Sequence, residues 1–260
     1  MTETGVEKWT SAALSDVPHG FLGRRGGVST GIYAGLNVGL GSDDDGQAIA
    51  ENRRRAGQAV LPGARLVTVH QVHSPDVVAV DAPFADAARP HADALVTATP
   101  GLLLGILTAD CVPVLFADAQ AGVVGAAHAG WRGALHGVTD RTLDAMIALG
   151  ADRDRIACAV GPCIGRMSYE VSESFVVTFT DADPANECFF ADGRAGHAMF
   201  DIEGYVAARL AAAGVNRVDM LGQDTCSQPD AFFSYRRSCL RREPGYGRQI
   251  SLIGLANTGG

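Results

Sequence analysis

Lysine is almost absent from this sequence of 260 residues, which excludes several kinds of chemistry. Lys8 is the one lysine, and all other cationic side chains of the Lys and Arg class are arginines. Schiff-base enzymes and P-loop nucleotide-binding proteins both need a lysine at a defined place. We interpret Lys8 as part of a loose N-terminal tail, so both classes are excluded.

The sequence also lacks long apolar runs and closely spaced cysteine pairs. The longest apolar run, around residues 101–107, is too short to cross a bilayer, and residues 1–10 lack the charged-then-apolar order of a signal peptide. We therefore expect a cytoplasmic protein without a membrane partner. The six cysteines form no CxxC pair, and a chain of this length needs no disulfide framework, so we expect reduced thiols.

Positive charge is in deficit as well. The formal net charge is -8, which argues against DNA or RNA as a partner, because binding a polyanion requires a basic surface. A small anionic ligand stays open.

The composition and patterning that are present predict a globular α+β protein. Apolar residues make up 47% of the chain, and no Pro/Ser-rich linker, charge block or repeat divides it, so we predict a single domain over residues 1–260. Helical spacing predicts helices over 47–60, 135–150 and 202–213, and a helix or mixed segment over 170–179. Strands are predicted over 65–69, 77–80, 94–97, 102–107, 112–116, 123–127, 155–160, 217–221 and 249–255. We expect mixed β-sheets covered by helices, in a layered α-β-β-α arrangement.

Three predicted strand ends carry side chains that bind metals. His73 follows a strand, Cys111 interrupts an apolar run at TADC (108–111), and His128 ends a strand where a glycine turn begins. A catalytic zinc ion is typically held by three side chains drawn from His, Cys and carboxylates, with a fourth position open. Taken alone, each side chain is more typical of a core thiol or a hydrogen-bonded imidazole than of a metal ligand, so the spacing by itself does not establish a metal site.

Seven motifs, in order along nearly the whole chain, are specific enough to identify a family. They are GGVSTGIYAGLNVG (26–39), ENRRR (51–55), QVHS (71–74), TADCVP (108–113), HAGWRG (128–133), GPCIG with YEV (161–171) and FFSYRR with GR (232–248). The sequence resembles the laccase-domain family, also called polyphenol oxidase or DUF152 proteins and described as multifunctional purine nucleoside phosphorylases. The resemblance implies that His73, Cys111 and His128 bind a zinc ion, with copper less favoured, and that His70 lies nearby.

The resemblance also implies a zinc-dependent enzyme that acts on purine nucleosides. Its expected reactions are phosphorolysis of adenosine, inosine and S-methyl-5′-thioadenosine to the free base and (methylthio)ribose 1-phosphate, together with adenosine deamination. Zinc lowers the pKa of bound water from ~16 to about 7, which suits attack on C6 of adenine. Nucleoside and phosphate are therefore the expected small-molecule partners.

Phosphate binding must rely on arginine and on backbone amides, because no lysine is suitably placed. The candidate substrate-binding residues are Ser29, Asn37, Arg53, Arg132, Arg236 or its neighbour Arg237, and Arg248. Each arginine is also typical of a solvated or salt-bridged surface charge.

Asp110 is the candidate general acid, which makes Asp110, Cys111, His128 and His73 the predicted catalytic residues. In an extended strand Asp110 and Cys111 would point to opposite faces, so Asp110 reaches the metal only if the chain turns there. It is equally suited to orient the imidazole of a ligand.

Four other functions remain in competition. Cys111 activated by His128 would give a thiol-dependent amidase or hydrolase acting on a cell-wall precursor. A zinc- or redox-responsive binding module would need a fourth protein ligand, for which the sequence offers no clear candidate. A copper polyphenol oxidase is disfavoured because seven histidines are too few for a four-copper centre. GVSTG (27–31) matches the G-x-S-x-G nucleophile motif of serine hydrolases but lies in a glycine-rich loop rather than between a strand and a helix.

Overall fold

The computed structural model describes residues 5–257 and contains two large β-sheets flanked by helices. The first four and the last three residues of the predicted domain lie outside the described residues. Within residues 5–257 the strands are β1 (Lys8–Trp9), β2 (His19–Leu22), β3 (Arg65–Val67), β4 (Val77–Ala79), β5 (Ala94–Thr97), β6 (Leu102–Thr108), β7 (Val112–Asp118), β8 (Val123–Ala129), β9 (Ala157–Val160), β10 (Glu170–Ser172), β11 (Phe190–Asp192), β12 (His197–Phe200), β13 (Arg217–Met220) and β14 (Gln249–Gly254). The α-helices of this range are α1 (Gly46–Val60), α2 (Trp131–Leu135), α3 (Val138–Ala148), α4 (Glu173–Ala182), α5 (Ile202–Ala212) and α6 (Tyr235–Arg241).

Both large sheets mix parallel and antiparallel strands. The first has the order β1-β2-β14-β6-β3, in which β3 runs parallel to β6 and the other pairs are antiparallel. The second has the order β13-β9-β7-β8-β5-β4, with parallel pairs at its two edges. A small antiparallel sheet has the order β10-β12-β11. In the chain, β10 comes directly before α4, and β11 and β12 lie between α4 and α5.

The two large sheets pack face to face, and helices cover their outer faces. Leu104 and Ile106 of β6 share a core with Leu115 of β7 and Val124 of β8. Strands buried on both faces read as continuous apolar runs rather than alternating ones, which explains the sequence of β6 to β8. The outer cores form under α1 and under α3 with α5. The predicted α+β fold with a layered α-β-β-α arrangement is therefore confirmed.

Most predicted elements appear with shifted ends. Helix α1 begins one residue before its predicted start, and the side chain of Asp45 caps it by accepting hydrogen bonds from the amides of Gln47 and Ala48. The segment predicted as helical or mixed divides into β10 and α4. Prediction missed β1, β2, the β11–β12 hairpin and α6, which all lie in short or turn-rich segments.

The interpretation of Lys8 as part of a loose tail is wrong. Lys8 lies in β1, where it pairs with Leu22, and its Nζ donates a hydrogen bond to the carbonyl oxygen of Ala59 at 3.0 Å. The apolar part of the side chain also packs close to Gly20. A long lysine stem can cover apolar surface while its charged end reaches a helix carbonyl, so one residue fastens β1 to α1.

Candidate metal centre

Three chain segments converge at one end of the two large sheets. They are the loop after β3, the tight turn that joins β6 to β7, and the end of β8. Because β3 runs parallel to β6, and the end of β8 pairs with the start of β7, all three segments reach the same edge. The ligand-type atoms of His73, Cys111 and His128 lie within 4.8 Å of one another there.

His128 is held in one orientation by a buried carboxylate. Its Nδ1 lies 2.7 Å from Oδ1 of Asp93, and its backbone amide donates to the carbonyl oxygen of the same residue at 2.7 Å. The Asp93 side chain is fully buried and that of His128 nearly so. This pairing leaves Nε2 of His128 to face the other two ligands, which is the usual arrangement of a carboxylate, a histidine and a metal.

The same carboxylate also shapes the loop that carries His73. Oδ2 of Asp93 accepts hydrogen bonds from the amides of Val72 at 3.1 Å and Ser74 at 2.6 Å, the two neighbours of His73. His73 itself adopts a left-handed backbone conformation, with φ of 63°. Two amides bound to one carboxylate support this uncommon conformation and direct the imidazole toward Cys111.

The chain turns sharply before Cys111. Asp110 has φ of 90°, and Cys111 follows it with Sγ at 3.8 Å from Nε2 of His73. Gly130 closes the site from the β8 side, since a Cβ atom there would lie 2.6 Å from Cδ2 of His73 and 3.2 Å from Sγ of Cys111. The first glycine of the HAGWRG motif, Gly130, is thus required by the close approach of two ligands.

These donors fit a zinc ion. Two imidazole nitrogens and a thiolate at ordinary zinc bond lengths in a tetrahedral arrangement would lie about 3.3 to 3.6 Å apart, close to the sulfur–nitrogen distance of 3.8 Å observed here. Among residues 5–257, His73, Cys111 and His128 form the one group of His, Cys, Asp or Glu side chains whose ligand atoms lie close enough to hold a metal ion. The group supplies three protein ligands. An ion held by three protein ligands would have a fourth position for water or substrate, as catalytic zinc sites do.

The electrostatics of the site favour a thiolate. Burial works to raise the pKa of the Cys111 thiol, but the charge of His128 and hydrogen bonds with His128 and His73 outweigh it and lower the pKa to about 6. Burial likewise works to lower the pKa of His128, whereas the thiolate and the carboxylate of Asp93 raise it to about 9. The thiolate is the form of cysteine that binds metals and acts as a nucleophile.

Asp110 does not contact either histidine. Its buried carboxylate accepts hydrogen bonds from Oγ1 of Thr225 at 2.7 Å, Oγ of Ser234 at 3.0 Å and the amide of Arg236 at 2.6 Å. Burial raises the pKa of Asp110 despite these donors. The carboxylate joins the β6–β7 turn to the first turn of α6, and the role of orienting a histidine falls to Asp93 instead.

Sequence reasoning missed Asp93. The signal for it is a carboxylate directly before the fully buried strand β5. A carboxylate in such a place is costly unless it is paired and hydrogen-bonded, which predicts a specific partner but not which one.

Two cavities meet at the ligand cluster, and His73, Ala109 and Cys111 line both. The first, which we call the aromatic cavity, has a volume of about 300 Å³ and is lined by Asp110, Trp131, Arg132, Ile164, Tyr169, Ile202, Tyr235 and Arg236 in addition. The second, the basic cavity, has a volume of about 350 Å³ and is lined by Leu40, Gly41, Val69, His70, Gln71, Arg89, Leu107, Thr108, His128, Tyr246 and Arg248 in addition.

The predicted substrate-binding arginines divide between these cavities. Arg132 and Arg236 line the aromatic cavity, where Nη1 of Arg236 donates to the carbonyl oxygen of Glu170 at 2.9 Å. Arg248 lines the basic cavity together with His70. Arg53 lies elsewhere, in a cleft beside α1, with Nη2 donating to Oγ1 of Thr68 at 3.1 Å.

Ser29 and Asn37 line neither cavity, because both belong to a buried polar network. Oγ of Ser29 and Nδ2 of Asn37 donate to the carboxylate of Asp44, and Nδ2 of Asn52 donates to Oγ of Ser29. Oδ1 of Asn37 accepts a hydrogen bond from the amide of Arg248 at 2.9 Å. These side chains therefore fix the loop before α1 and the backbone of Arg248, and their polar atoms are already bound within the protein.

Fold and site together define a layered α+β protein with a candidate metal centre of three ligands at the junction of two cavities. Residues 18–256 match the family described as multi-copper polyphenol oxidoreductase laccase, and the chain belongs to that family.

Curated relatives cover almost the whole chain. A protein from Deinococcus radiodurans named purine nucleoside phosphorylase is 42% identical over 256 residues, covering 98% of this chain and 95% of its own length. A Streptomyces griseus protein, named purine nucleoside phosphorylase ORF3, is 42% identical over 235 residues, covering 89% of this chain and 94% of its own.

Solved structures show the same fold. A DUF152 protein from Neisseria meningitidis matches with a TM-score of 0.86 and 32% identity, covering 97% of this chain and all of its own. The YlmD protein of Geobacillus stearothermophilus matches with a TM-score of 0.85 and 29% identity over 99% and 98% of the two chains. The resemblance inferred from the motifs is confirmed.

The description of the family names a multi-copper enzyme, whereas the curated relatives are named purine nucleoside phosphorylases. Relatives at about 40% identity carry the phosphorylase name, and the described residues contain a single cluster suited to one ion. Among these residues no helix is both long and apolar enough to cross a membrane.

Proposed function

We propose that this protein is a zinc-dependent purine nucleoside phosphorylase, a transferase that cleaves adenosine, inosine and S-methyl-5′-thioadenosine with phosphate. The observation that carries the proposal is that His73 and Cys111 line two cavities of different chemistry, one aromatic and one basic. A reaction between an aromatic base with its sugar and an anion needs both kinds of cavity at one centre. The names of the relatives support the same reaction.

His73, Cys111 and His128 would hold the zinc ion. A zinc ion with an open position acts as a Lewis acid and lowers the pKa of water to about 7, which also supports the adenosine deamination that we include in the proposal. Asp93 keeps both imidazoles in place by binding His128 directly and the His73 loop through two amides.

The aromatic cavity would receive the purine. Tyr169 and Trp131 are held by a cluster of aromatic rings behind them, with Trp131 at 5.1 Å and Tyr169 at 6.1 Å from the ring of Phe175. Aromatic side chains fixed in this way offer flat apolar faces on which a base can stack. Arg236 lies over the ring of Tyr169, 5.3 Å from its centre, and is fixed by its bond to the Glu170 carbonyl. Arg236 would then be a hydrogen-bond donor at the edge of the purine.

The general acid role of Asp110 stays a prediction. Both of its oxygens accept hydrogen bonds from the protein, so its carboxylate supports the turn before Cys111 and the start of α6. These contacts hold one wall of the aromatic cavity.

A test of the proposal incubates the zinc-loaded protein with adenosine, with and without phosphate, and separates adenine, inosine and hypoxanthine by chromatography. We expect adenine only when phosphate is present, and inosine from deamination in both cases. Cys111→Ser should lose zinc and both products. If the zinc-loaded protein forms neither product, the proposal is wrong.

A thiol-dependent hydrolase of a cell-wall precursor is the second candidate, and one observation favours it. Cysteine hydrolases use a thiol nucleophile, a histidine base and a carboxylate that orients the histidine. Here Cys111 would be the nucleophile, His128 the base and Asp93 the orienting carboxylate. One sulfur atom cannot bind zinc and attack a carbonyl at the same time. Full amide hydrolysis by protein stripped of zinc with a chelator would favour this second function. Nucleoside phosphorolysis that is lost when zinc is removed would favour the first.

A further inference from the structure

We infer that the basic cavity is the binding site for inorganic phosphate, with Thr108 and Arg248 as its principal ligands. The inference rests on the proposed function and identifies where the second substrate binds.

The cavity is basic although the protein is acidic. Arg89, Arg248 and His70 line it, and its lining contains no aspartate or glutamate, whereas the whole chain carries a net charge of -8. In such a protein a cavity without carboxylates concentrates positive potential where an anion can enter. The aromatic cavity differs, because the carboxylate of Asp110 contributes to its wall.

Neither arginine of the basic cavity forms an ion pair with a described residue. Nη2 of Arg248 donates to the phenol oxygen of Tyr246 at 3.0 Å, and its guanidinium lies 4.7 Å from the centre of that ring. Nε of Arg89 donates to the carbonyl oxygen of Asp86 at 3.0 Å. These partners are neutral, so they orient the guanidinium groups without neutralising them, and donors remain for a phosphate.

Thr108 supplies the most specific evidence. The residue is 2% exposed and lines the basic cavity, and its Oγ1 has no hydrogen-bond partner among residues 5–257. A buried hydroxyl without a partner costs about 1 to 3 kcal/mol, so a threonine in this place is explained if a ligand supplies the acceptor. A phosphate oxygen is such an acceptor, and Thr108 lies three residues before Cys111 at the end of β6.

The backbone around Arg248 is built to hold it. The amide of Arg248 donates to Oδ1 of Asn37, and a Cβ atom at Gly39 would lie 3.2 Å from Nη1 of Arg248. The buried network of Ser29 and Asn37 thus positions this arginine, which accounts for the presence of both residues in a family motif far from the ligand cluster.

The chemistry balances with phosphate as the only co-reactant. An oxygen of HPO₄²⁻ forms a bond to the anomeric carbon as the bond from that carbon to the purine nitrogen breaks, and the electron pair leaves with the base. The hydrogen of the phosphate passes to the departing base, which gives ribose 1-phosphate and the neutral purine. The nucleoside in the aromatic cavity and the phosphate in the basic cavity meet beside His73 and Cys111.

The experiment compares Thr108→Val with Thr108→Ser, and Arg248→Gln with the surface control Arg141→Gln, whose guanidinium pairs with Asp76 and lines neither cavity. We expect Thr108→Val and Arg248→Gln to raise the KM for phosphate about tenfold or more, since each loses a hydrogen bond to a charged group. The KM for adenosine and the zinc content should change less than about twofold. Thr108→Ser keeps the hydroxyl and should stay near the wild type, as should Arg141→Gln.

Stability and direct binding provide independent measurements. Thr108→Val removes an unpaired buried hydroxyl at nearly constant volume, so its melting temperature should equal or exceed that of the wild type while phosphate binding weakens. Calorimetric titration of the zinc-loaded proteins with inorganic phosphate, without nucleoside, should show the same loss of affinity.

The outcomes separate this inference from the proposed function. Phosphorolysis by the wild type with an unchanged KM for phosphate in Thr108→Val and Arg248→Gln would overturn the inference and leave the proposed function intact. Phosphate binding that depends on both residues without any phosphorolysis would support the site and contradict the proposed function. Weakened binding of adenosine 5′-monophosphate but not of inorganic phosphate would assign the cavity to the phosphoryl group of a nucleotide and overturn the inference.

Discussion

The carboxylate of Asp93 contacts two of the three segments that carry the candidate ligands. It binds the imidazole of His128 through one oxygen and the two amides beside His73 through the other. A single side chain thereby fixes a ring orientation and a strained loop. Cys111 is placed differently, by the turn at Asp110, whose positive φ directs the thiol toward the histidines.

We predict that Asp93→Asn weakens zinc binding about 10- to 100-fold, the range usual for loss of a carboxylate behind a histidine ligand. An amide cannot stabilise positive charge on His128 or accept as strongly from two backbone amides. Competition with a chromogenic chelator measures the affinity, and Asp76→Asn, an exposed carboxylate nearby, serves as the control. Equal zinc affinity in the Asp93 variant and the wild type would contradict this role.

The three candidate metal ligands were predictable from the sequence, whereas the side chain of Asp93, which holds two of them in place, was not. The motifs identify His73, Cys111 and His128, and the structure brings these three together. Asp93 lies 35 positions from His128 and in no motif that was singled out, so its contact depends on the pairing of β5 with β8. Ser29 and Asn37 belong to a motif but bind other protein atoms, because a motif records a requirement without saying whether a substrate or the fold imposes it.

The strands β6, β7 and β8 and the turns between them build the centre. Apolar composition predicted all three, since strands buried on both faces need continuous apolar residues. The strands β1 and β2 and the β11–β12 hairpin were missed, because strands of two to four residues are too short to show an alternating pattern. Strand β2 is in addition held by pairing with β14, which is distant in sequence. Sheet order is likewise set by contacts between remote residues, which one sequence does not display.

The far end of β7 offers a test of what holds these strands. Asp118 ends β7 with its side chain 1% exposed and accepts hydrogen bonds from Arg155 and from the amides of Ala121 and Asp152. Burial works to raise the pKa of Asp118, but these donors prevail and lower it below its ordinary value of 3.8. The ionised form is therefore favoured by folding.

We predict that Asp118→Asn lowers the free energy of unfolding by about 1 to 3 kcal/mol at pH 7. The contribution of a carboxylate with a lowered folded pKa is complete above its unfolded pKa and is lost as the pH falls through the folded pKa. The difference in the free energy of unfolding between Asp118→Asn and the wild type should therefore shrink below about pH 3.8. Urea unfolding from pH 7 to pH 2 measures this difference. The exposed neighbour Asp154→Asn is the control, and a difference independent of pH would disprove the assignment.

The candidate centre links parts of the chain that are far apart in sequence. His73 follows β3 of the first sheet, Cys111 joins β6 of the first sheet to β7 of the second, and His128 ends β8 of the second. An ion bound by all three would tie the two sheets together at one end. Stability of the whole molecule should then depend on the metal.

We predict that removing zinc with a chelator lowers the melting temperature by about 10 °C and that added zinc restores it. Zinc at a thousandfold excess over its dissociation constant stabilises the folded state by about 4 kcal/mol, and each kcal/mol corresponds to about 2 to 4 °C for a protein of this size. Scanning fluorimetry with and without zinc measures the shift. Cys111→Ser should show little response to zinc, and an identical response in both proteins would argue against these ligands.

The position of β14 bears on how the protein matures. This strand is formed by residues near 250, yet it lies inside the first sheet between β2 and β6. During synthesis on the ribosome, β2 and β6 emerge long before the strand that must separate them, so their pairing edges stay open until translation nears its end. The nascent chain therefore passes through an interval in which these exposed edges favour aggregation.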